Sequence, residues 1–212
     1  MRDTDYCIDN KHPYFEAIRE RYGEKFAEAI ELECRGSLNR YFGEHGHLPE
    51  AKAMHAEENI LPIGFIYLAL KERIGTAAYD LVREVMRGNC LKVKEANDRE
   101  IERIGREQFF RNWEKTCRES FGEENGYRCV FHEATENEVR LEVMHCLYLE
   151  MLTEMGCPEV ARIFCDSDDF EMGDLAEVVF ERKGTLAYGR DMCDFCLRKR
   201  EQETAGVINT GG

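Results

Sequence analysis

Apolar residues recur every three or four positions through the first half of the chain, which is the spacing of amphipathic helices. One such segment begins at His12-Pro13 and ends at a polar spacer over residues 43–49. A more apolar stretch covers residues 60–86 and has Gly75 inside it. Because glycine often ends a helix, this stretch predicts two core helices joined at Gly75.

A long, highly charged segment follows Gly88-Asn89 and continues to Gly122. Its apolar positions are Ile101, Ile104, Phe109, Phe110 and Trp113. This pattern predicts a further helix that begins after Gly88-Asn89 and lies over the earlier helices.

The hydrophobic pattern changes to a period of two after Gly126, as is typical of β-strands. Residues 127–132 and 138–143 alternate in this way on either side of a turn at 135–137, which predicts a hairpin. Residues 177–182 and 193–198 predict a second pair of strands.

Helical spacing returns between the two predicted hairpins. It covers residues 147–155, and Pro158 then starts another short helix toward Cys165. Together these elements predict an α+β fold in which an N-terminal helical lobe packs on a C-terminal antiparallel sheet of about four strands with crossing helices. The predicted parts are residues 1–124, 125–200 and a flexible tail over 201–212, in one functional unit.

Composition excludes several classes of function. A formal net charge of −14 over 212 residues argues against binding to nucleic acid or to anionic lipid, since both require a concentrated positive face. The chain has no apolar run of the roughly 20 residues that cross a membrane, and no export signal, so we expect a cytoplasmic protein. The expected partners are a small-molecule substrate and, in a homodimer, a second copy of the chain.

The chain has ten cysteines, which we expect to be reduced thiols in a protein without an export signal. Four of them lie in predicted helices, where a free cysteine usually packs as a small hydrophobe. Five lie between Cys146 and Cys196, beside an acidic cluster at 166–169 and an arginine, Arg182. This C-terminal region is the candidate site.

The order of residues in this region resembles the signature of the L-2-amino-thiazoline-4-carboxylic acid hydrolase family. The matching residues are Cys146, Gly156, Cys165-x-x-Asp168, Phe180-x-Arg182-x-x-Thr185-Leu186, Gly189 and Cys193-Asp194-Phe195. The resemblance implies opening of a cyclic amidine, 2-amino-thiazoline-4-carboxylate, to N-carbamoyl-L-cysteine. Lys183-Gly184 and the additional thiols of Cys157 and Cys196 depart from the family pattern.

The resemblance implies substrate binding by Arg182 and Thr185, with the guanidinium holding the substrate carboxylate through its planar fork. A structural ion pair between Arg182 and one of the acidic residues Asp166, Asp168 or Asp194 is the alternative. The two roles are equally compatible with the sequence alone.

The catalytic candidates are Cys165, Asp168, Cys193 and Asp194. Hydrolysis of an amidine needs an attacking water or thiolate and an acid for the departing nitrogen, so we expect a hydrolase acting on C–N bonds. Asp168 or Asp194 would bind the amidinium or shuttle protons, because a dry pocket raises a carboxyl pKa. The cluster at 166–169 is otherwise typical of solvated turns and helix N-caps, the role expected for Asp169.

More distantly, the pattern is similar to that of 4-vinyl reductase type ligand-binding domains, in which cysteines and an acidic residue can hold zinc. On this second hypothesis the chain is a non-catalytic small-ligand or zinc-binding sensory module. The ligands would be Cys146, Cys165 and Cys193, with a carboxylate or His145 as the fourth, because zinc accepts such a set tetrahedrally. Zinc is thus one candidate cofactor, and no other is indicated.

Overall fold

The computed structural model describes residues 3–201, and the N-terminal part of this range is helical. No helix in the range is both long and apolar enough to cross a bilayer. The helices before the sheet are α1 (Thr4–Asp9), α2 (His12–Tyr22), α3 (Glu24–His45), α4 (Glu50–His55), α5 (Leu61–Ile74), α6 (Ala77–Ile104) and α7 (Arg106–Ser120). A π-helical turn, Ala56–Ile60, joins α4 to α5.

Glycines with positive φ separate several of these helices. The predicted junction at Gly75 is confirmed, since this residue has φ +61° between α5 and α6. The prediction of a helix start after Gly88-Asn89 was wrong, because α6 runs through both residues and breaks only at Gly105, where φ is +80°. A glycine inside a helix costs only about 1 kcal/mol, so packing of the flanking turns can carry the helix through it.

The sheet has four antiparallel strands in the order β1-β2-β4-β3. The strands are β1 (Arg128–Phe131), β2 (Glu138–His145), β3 (Val178–Glu181) and β4 (Cys193–Lys199). Both predicted hairpins are therefore confirmed, and the strands β2 and β4 form the centre. Leu141 of β2 lies opposite Phe195 of β4, and Val143 lies opposite Cys193, so these four side chains share the inner face.

Two crossing helices connect the hairpins, namely α8 (Leu147–Glu154) and α9 (Val160–Met172). The expected short helix toward Cys165 is longer than predicted, because α9 continues through the acidic cluster to Met172. Aspartate is a weak helix former, but the buried face of α9, formed by Val160, Ala161 and Ile163, packs into the main core.

Two hydrophobic clusters hold the layers together. The main core joins the N-terminal helices to α8, α9 and the Leu141–Val143 part of the sheet. A smaller cluster joins Ile101, Phe109 and Phe110 to Val139 and Leu197 at the other end of the strands. The α+β architecture is as predicted, whereas the division at residue 124 stays a prediction. The predicted tail falls outside the described residues beyond Glu201.

Candidate functional site

A cavity of about 500 Å³ lies between the inner face of the sheet and helices α7, α8 and α9. Three of its lining residues on α6 and α7 are exposed to solvent, namely Val93, Asn112 and Thr116. Aromatic side chains dominate its wall: Phe109, Trp113, Phe121, Tyr127, Tyr148, Phe164, Phe180 and Phe195. The volume and the lining are those of a pocket for a small organic molecule.

Two carboxyl groups from one face of α9 enter this cavity. Asp168 and Glu171 are three residues apart on the helix, a spacing that places side chains side by side. Burial raises the pKa of Asp168 to about 7, against the opposing effect of Arg182. Burial also raises the pKa of Glu171, while a hydrogen bond from the Cys90 thiol lowers it. The Asp168 side chain is 37% exposed, as expected for a carboxyl that faces the cavity.

Arg182 lies behind Asp168 and is held on all sides. Its Nη1 donates to Asp168 Oδ2 at 2.8 Å, and its Nη2 donates to the Cys165 carbonyl at 2.9 Å and to Asp169 Oδ2 at 2.5 Å. The rings of Phe180 and Phe195 flank the guanidinium, each with its centroid 5.5 Å away. The Arg182 side chain is only 6% exposed, so it forms the ion pair that the sequence offered as the alternative.

Arg182 belongs to the wall of a second, shallower pocket on the outside of the protein. That pocket of about 350 Å³ is lined by Asp169, Lys183, Thr185 and Arg190 among others. Thr185 is 1% exposed, and a hydrogen bond from its side chain lowers the pKa of Cys165 against the larger effect of burial. Arg182 and Thr185, the predicted substrate-binding residues, therefore face this outer pocket or the wall, and their predicted role is untested.

The three candidate thiols do share one space. Cys146, Cys165 and Cys193 all line the cavity. Burial raises the pKa of Cys165 to about 12 and those of Cys146 and Cys193 to about 11. The Leu186 N–H donates to Cys193 Sγ at 3.3 Å, which lowers that pKa without offsetting burial. All three are therefore neutral thiols at neutral pH, whereas a cysteine nucleophile acts as the thiolate.

These cysteines are not arranged as a metal site. Within residues 3–201, no group of three or more His, Cys, Asp or Glu side chains is placed to hold a metal ion. His145, the proposed fourth ligand, points away to the surface and pairs with Glu150 at 3.2 Å. All ten cysteines are free thiols.

Asp194 does not join the other candidates. Side chains alternate along β4, so Cys193 and Phe195 face the cavity while Asp194 faces the opposite side. There its Oδ1 accepts the backbone N–H groups of Lys183 at 2.9 Å and of Gly184 at 3.0 Å. Asp194 thus holds the loop after β3 and is not placed for the predicted contact with an amidinium.

The acidic cluster also differs from the expectation of solvated turns and N-caps. Asp169 lies in the last turn of α9 and pairs with Arg182, and burial raises its pKa. Asp166 points to the other side of the helix, where it accepts from Arg83 Nε at 2.8 Å and from the Tyr188 hydroxyl at 2.7 Å. The sequence reasoning missed Glu171, although helical spacing from Asp168 would identify it.

A buried histidine also escaped the sequence analysis. His55 lines the cavity and is 6% exposed. Its Nε2 lies 2.8 Å from the Ser120 carbonyl, so this nitrogen carries the proton, and Nδ1 accepts from the Tyr148 hydroxyl at 3.3 Å. Burial lowers the pKa of His55, which keeps the ring neutral. Nearby, the buried Tyr127 hydroxyl has no partner among the described residues.

Comparison with known proteins identifies the family. A model of the L-2-amino-thiazoline-4-carboxylic acid hydrolase family matches residues 53–197, which include every wall of the cavity. The chain belongs to this family. No curated protein sequence matches significantly. Among solved structures, an Fe(II) unliganded H-NOX protein from K. algicida aligns over 92% of this chain and 97% of its own, with 9% identity and a TM-score of 0.33.

Proposed function

We propose that the protein is a hydrolase that opens a cyclic amidine, with Asp168 as the proton-transferring group in the cavity. The observation that carries the proposal is a carboxyl with a pKa near 7 that lines a largely apolar cavity. Such a group can accept a proton from water and return it within one turnover at neutral pH. Family membership supports the reaction class.

The chemistry of the product identifies the bond that breaks. An N-carbamoyl product keeps both amidine nitrogens on the attacked carbon, so the carbon–sulfur bond of a thiazoline ring must break. The expectation of a departing nitrogen is therefore replaced by a departing sulfur. Water adds to the carbon of the protonated amidine and loses one proton to Asp168. The carbon–sulfur bond then breaks as the added hydroxyl becomes the carbonyl, the proton that this hydroxyl loses goes to the departing sulfur, and Asp168 releases its proton to solvent.

Arg182 acts in this proposal as a positioning residue rather than as a substrate anchor. Its guanidinium already bonds three acceptors, and freeing it would leave the Cys165 carbonyl and both carboxylates without this donor. The same bond holds the Asp168 carboxyl in a fixed direction and keeps its pKa from rising further. Glu171 lines the cavity beside it and on this proposal binds the amidinium of the substrate.

The neutral thiols support water rather than cysteine as the nucleophile. The pKa values of Cys146, Cys165 and Cys193, all about 11 or 12, leave very little thiolate at neutral pH. On this proposal the three thiols shape the wall of the cavity.

The test uses purified protein, 2-amino-thiazoline-4-carboxylate and 2-amino-2-thiazoline, with products identified by mass spectrometry. Asp168→Asn is expected to lower kcat about 10²–10⁴-fold, the usual contribution of a general base. Asp166→Asn is the matched control, because Asp166 lies on the same helix but pairs with Arg83 and Tyr188 outside the cavity. Failure of the unmodified protein to turn over either compound, or equal losses in the two variants, would refute the proposal.

A second candidate function is a ligand-binding module without catalysis. The large apolar cavity favours it, since a binding site needs shape and a few polar groups but no proton transfer. Tight binding of a cavity ligand by a protein that turns over no cyclic amidine would favour this alternative.

A further inference from the structure

We infer that the natural substrate is a molecule with a sizeable apolar or aromatic body and a cationic amidine or amine head, and not a small carboxylate. The reaction assigned to this substrate rests on the proposed function, whereas the ligand class rests on the cavity alone.

The size and lining of the cavity carry the first step. The thiazoline carboxylate has only about nine non-hydrogen atoms, while cavities of several hundred Å³ accept drug-sized ligands. Eight aromatic side chains line the wall, together with aliphatic residues of β2 and α8 such as Leu141, Val143 and Leu149. A small polar molecule would leave most of this apolar surface without a partner, and an apolar body would cover it.

The charges around the cavity carry the second step. Among residues 3–201, no lysine or arginine lines the cavity, whereas Glu100, Asp168 and Glu171 do. Two of these acids already have a cation: Arg182 bonds Asp168 and two further acceptors, and Arg103 pairs with Glu100 on the exposed side of α6. Neither arginine lines the cavity, and within the same range Glu171 has no such partner there. A carboxylate in this space would lose its water without gaining a counter-ion, which is strongly unfavourable. A cation would gain carboxylate partners.

The position of these acids on their helix strengthens the preference. Asp168 and Glu171 lie in the C-terminal half of α9, where the helix dipole is negative and acidic side chains are disfavoured. The last turn of α9 contains no basic residue to offset them. A cationic head group beside Glu171 would relieve both the helix dipole and the two carboxyl groups.

The aromatic wall favours the same kind of head group. The faces of aromatic rings attract cations, especially where water is excluded. Two rings of the cavity wall, Phe180 and Phe195, already make this contact with Arg182. Trp113, Tyr127 and Tyr148 line the same cavity without a cation on their faces in the described part of the chain.

The experiment compares matched probes by isothermal titration calorimetry on the full chain. Three of them share one apolar body and differ in charge: biphenyl-4-carboxamidine, biphenyl-4-carboxamide and biphenyl-4-carboxylate. Benzamidine keeps the head and halves the body, and 2-amino-thiazoline-4-carboxylate represents the small anion. We expect the biphenyl amidine to bind at least about tenfold more tightly than each of the other four. Equal or tighter binding of either carboxylate, or of benzamidine, would overturn the inference.

Two variants assign the charge preference to the cavity acids. Glu171→Gln is expected to reduce the preference for the amidine over the amide, while Asp166→Asn, outside the cavity, leaves it unchanged. An unchanged preference in Glu171→Gln and in Asp168→Asn would also overturn the inference. Calorimetry measures binding and requires no turnover. If the probes bind in the predicted order but the protein hydrolyses neither thiazoline compound, the proposed function is refuted and this inference stands. If the protein hydrolyses 2-amino-thiazoline-4-carboxylate and binds it more tightly than the biphenyl amidine, the proposed function stands and this inference is refuted.

Discussion

Arg182 Nη1 lies 2.8 Å from Asp168 Oδ2, in the wall that separates the apolar cavity from the outer pocket. Two opposing effects meet at this contact. Burial raises the pKa of the Asp168 carboxyl, the guanidinium lowers it, and the result is a value of about 7. The pair therefore sets both the direction and the protonation of the carboxyl that transfers protons in our proposed mechanism.

Removal of this arginine should destabilise the fold. Arg182→Ala removes a side chain that is only 6% exposed and leaves Asp168 and the Cys165 carbonyl without their donor, a change that typically costs about 1–3 kcal/mol of the free energy of unfolding. Arg198→Ala is the matched control, because Arg198 pairs with Glu181 on the surface, where ion pairs contribute about 0–1 kcal/mol. Urea denaturation of both variants measures the difference.

The loss of stability in Arg182→Ala should depend on the presence of Asp168. In an Asp168→Asn background no carboxylate remains at that position, so Arg182→Ala should lower the free energy of unfolding by less than it does alone. Additive losses in the double variant would mean that the contact has no energetic coupling.

The pH dependence of stability should report the same carboxyl. The folded-state pKa of Asp168 is raised from 3.8 to about 7, so between these values the folded protein binds more protons than the unfolded chain. The free energy of unfolding therefore falls as pH rises from about 4 to about 7. Asp168→Asn should flatten that part of the curve, measured by urea denaturation across this range.

Activity should depend on pH in the opposite direction to stability. A general base must be ionised, so kcat/KM should rise as pH increases through about 7.

The stability prediction has its own contradicting outcome. Profiles of stability against pH that are parallel in the unmodified protein and in Asp168→Asn would show that this carboxyl does not titrate between about pH 4 and 7.

Much of the fold follows from local pattern. The period-two segments predicted both hairpins, because alternation with one buried face identifies an antiparallel strand. Gly75 was recognised as a helix junction, but Gly23 and Gly105 were not, and Gly88 was misread as one. All four look alike in sequence, since the choice between a helical and a left-handed glycine depends on the packing of the flanking turns.

The site was predictable only where its residues are neighbours in the chain. The C-terminal motif led to Asp168 and the three cavity thiols. His55, in contrast, forms a hydrogen bond with Tyr148, which is 93 residues away in the sequence, and no local pattern predicts that contact. Asp194 was predicted to face the site together with its neighbours Cys193 and Phe195. Because side chains alternate along β4, Asp194 faces the other side of the sheet.

The cavity thiols should be dispensable for turnover. Cys165→Ala and Cys193→Ala remove thiols whose pKa values are about 12 and 11, so they should retain most of the activity and lose only packing. Steady-state kinetics of each variant provides the measurement. Complete loss of turnover in one of them, with its fold intact by circular dichroism, would point to a cysteine nucleophile.

Two tyrosines in the cavity offer a matched pair with opposite expectations for stability. The Tyr148 hydroxyl donates to His55 Nδ1, so Tyr148→Phe should cost about 0.5–1.5 kcal/mol of the free energy of unfolding. The Tyr127 hydroxyl is buried without a partner among the described residues, so Tyr127→Phe should be neutral or stabilising. Thermal and urea denaturation distinguish the two variants.

Ligand binding should reverse the order of these variants. An unpaired hydroxyl that lines a cavity is available to a bound molecule, so Tyr127→Phe should weaken a ligand that bonds to it, although the free protein is no less stable. Tyr148 already uses its proton for His55, and its loss should affect binding less. Weaker binding without lower stability in Tyr127→Phe would identify this hydroxyl as a ligand contact. A loss of stability in Tyr127→Phe similar to that in Tyr148→Phe would instead mean that the hydroxyl is satisfied within the folded protein.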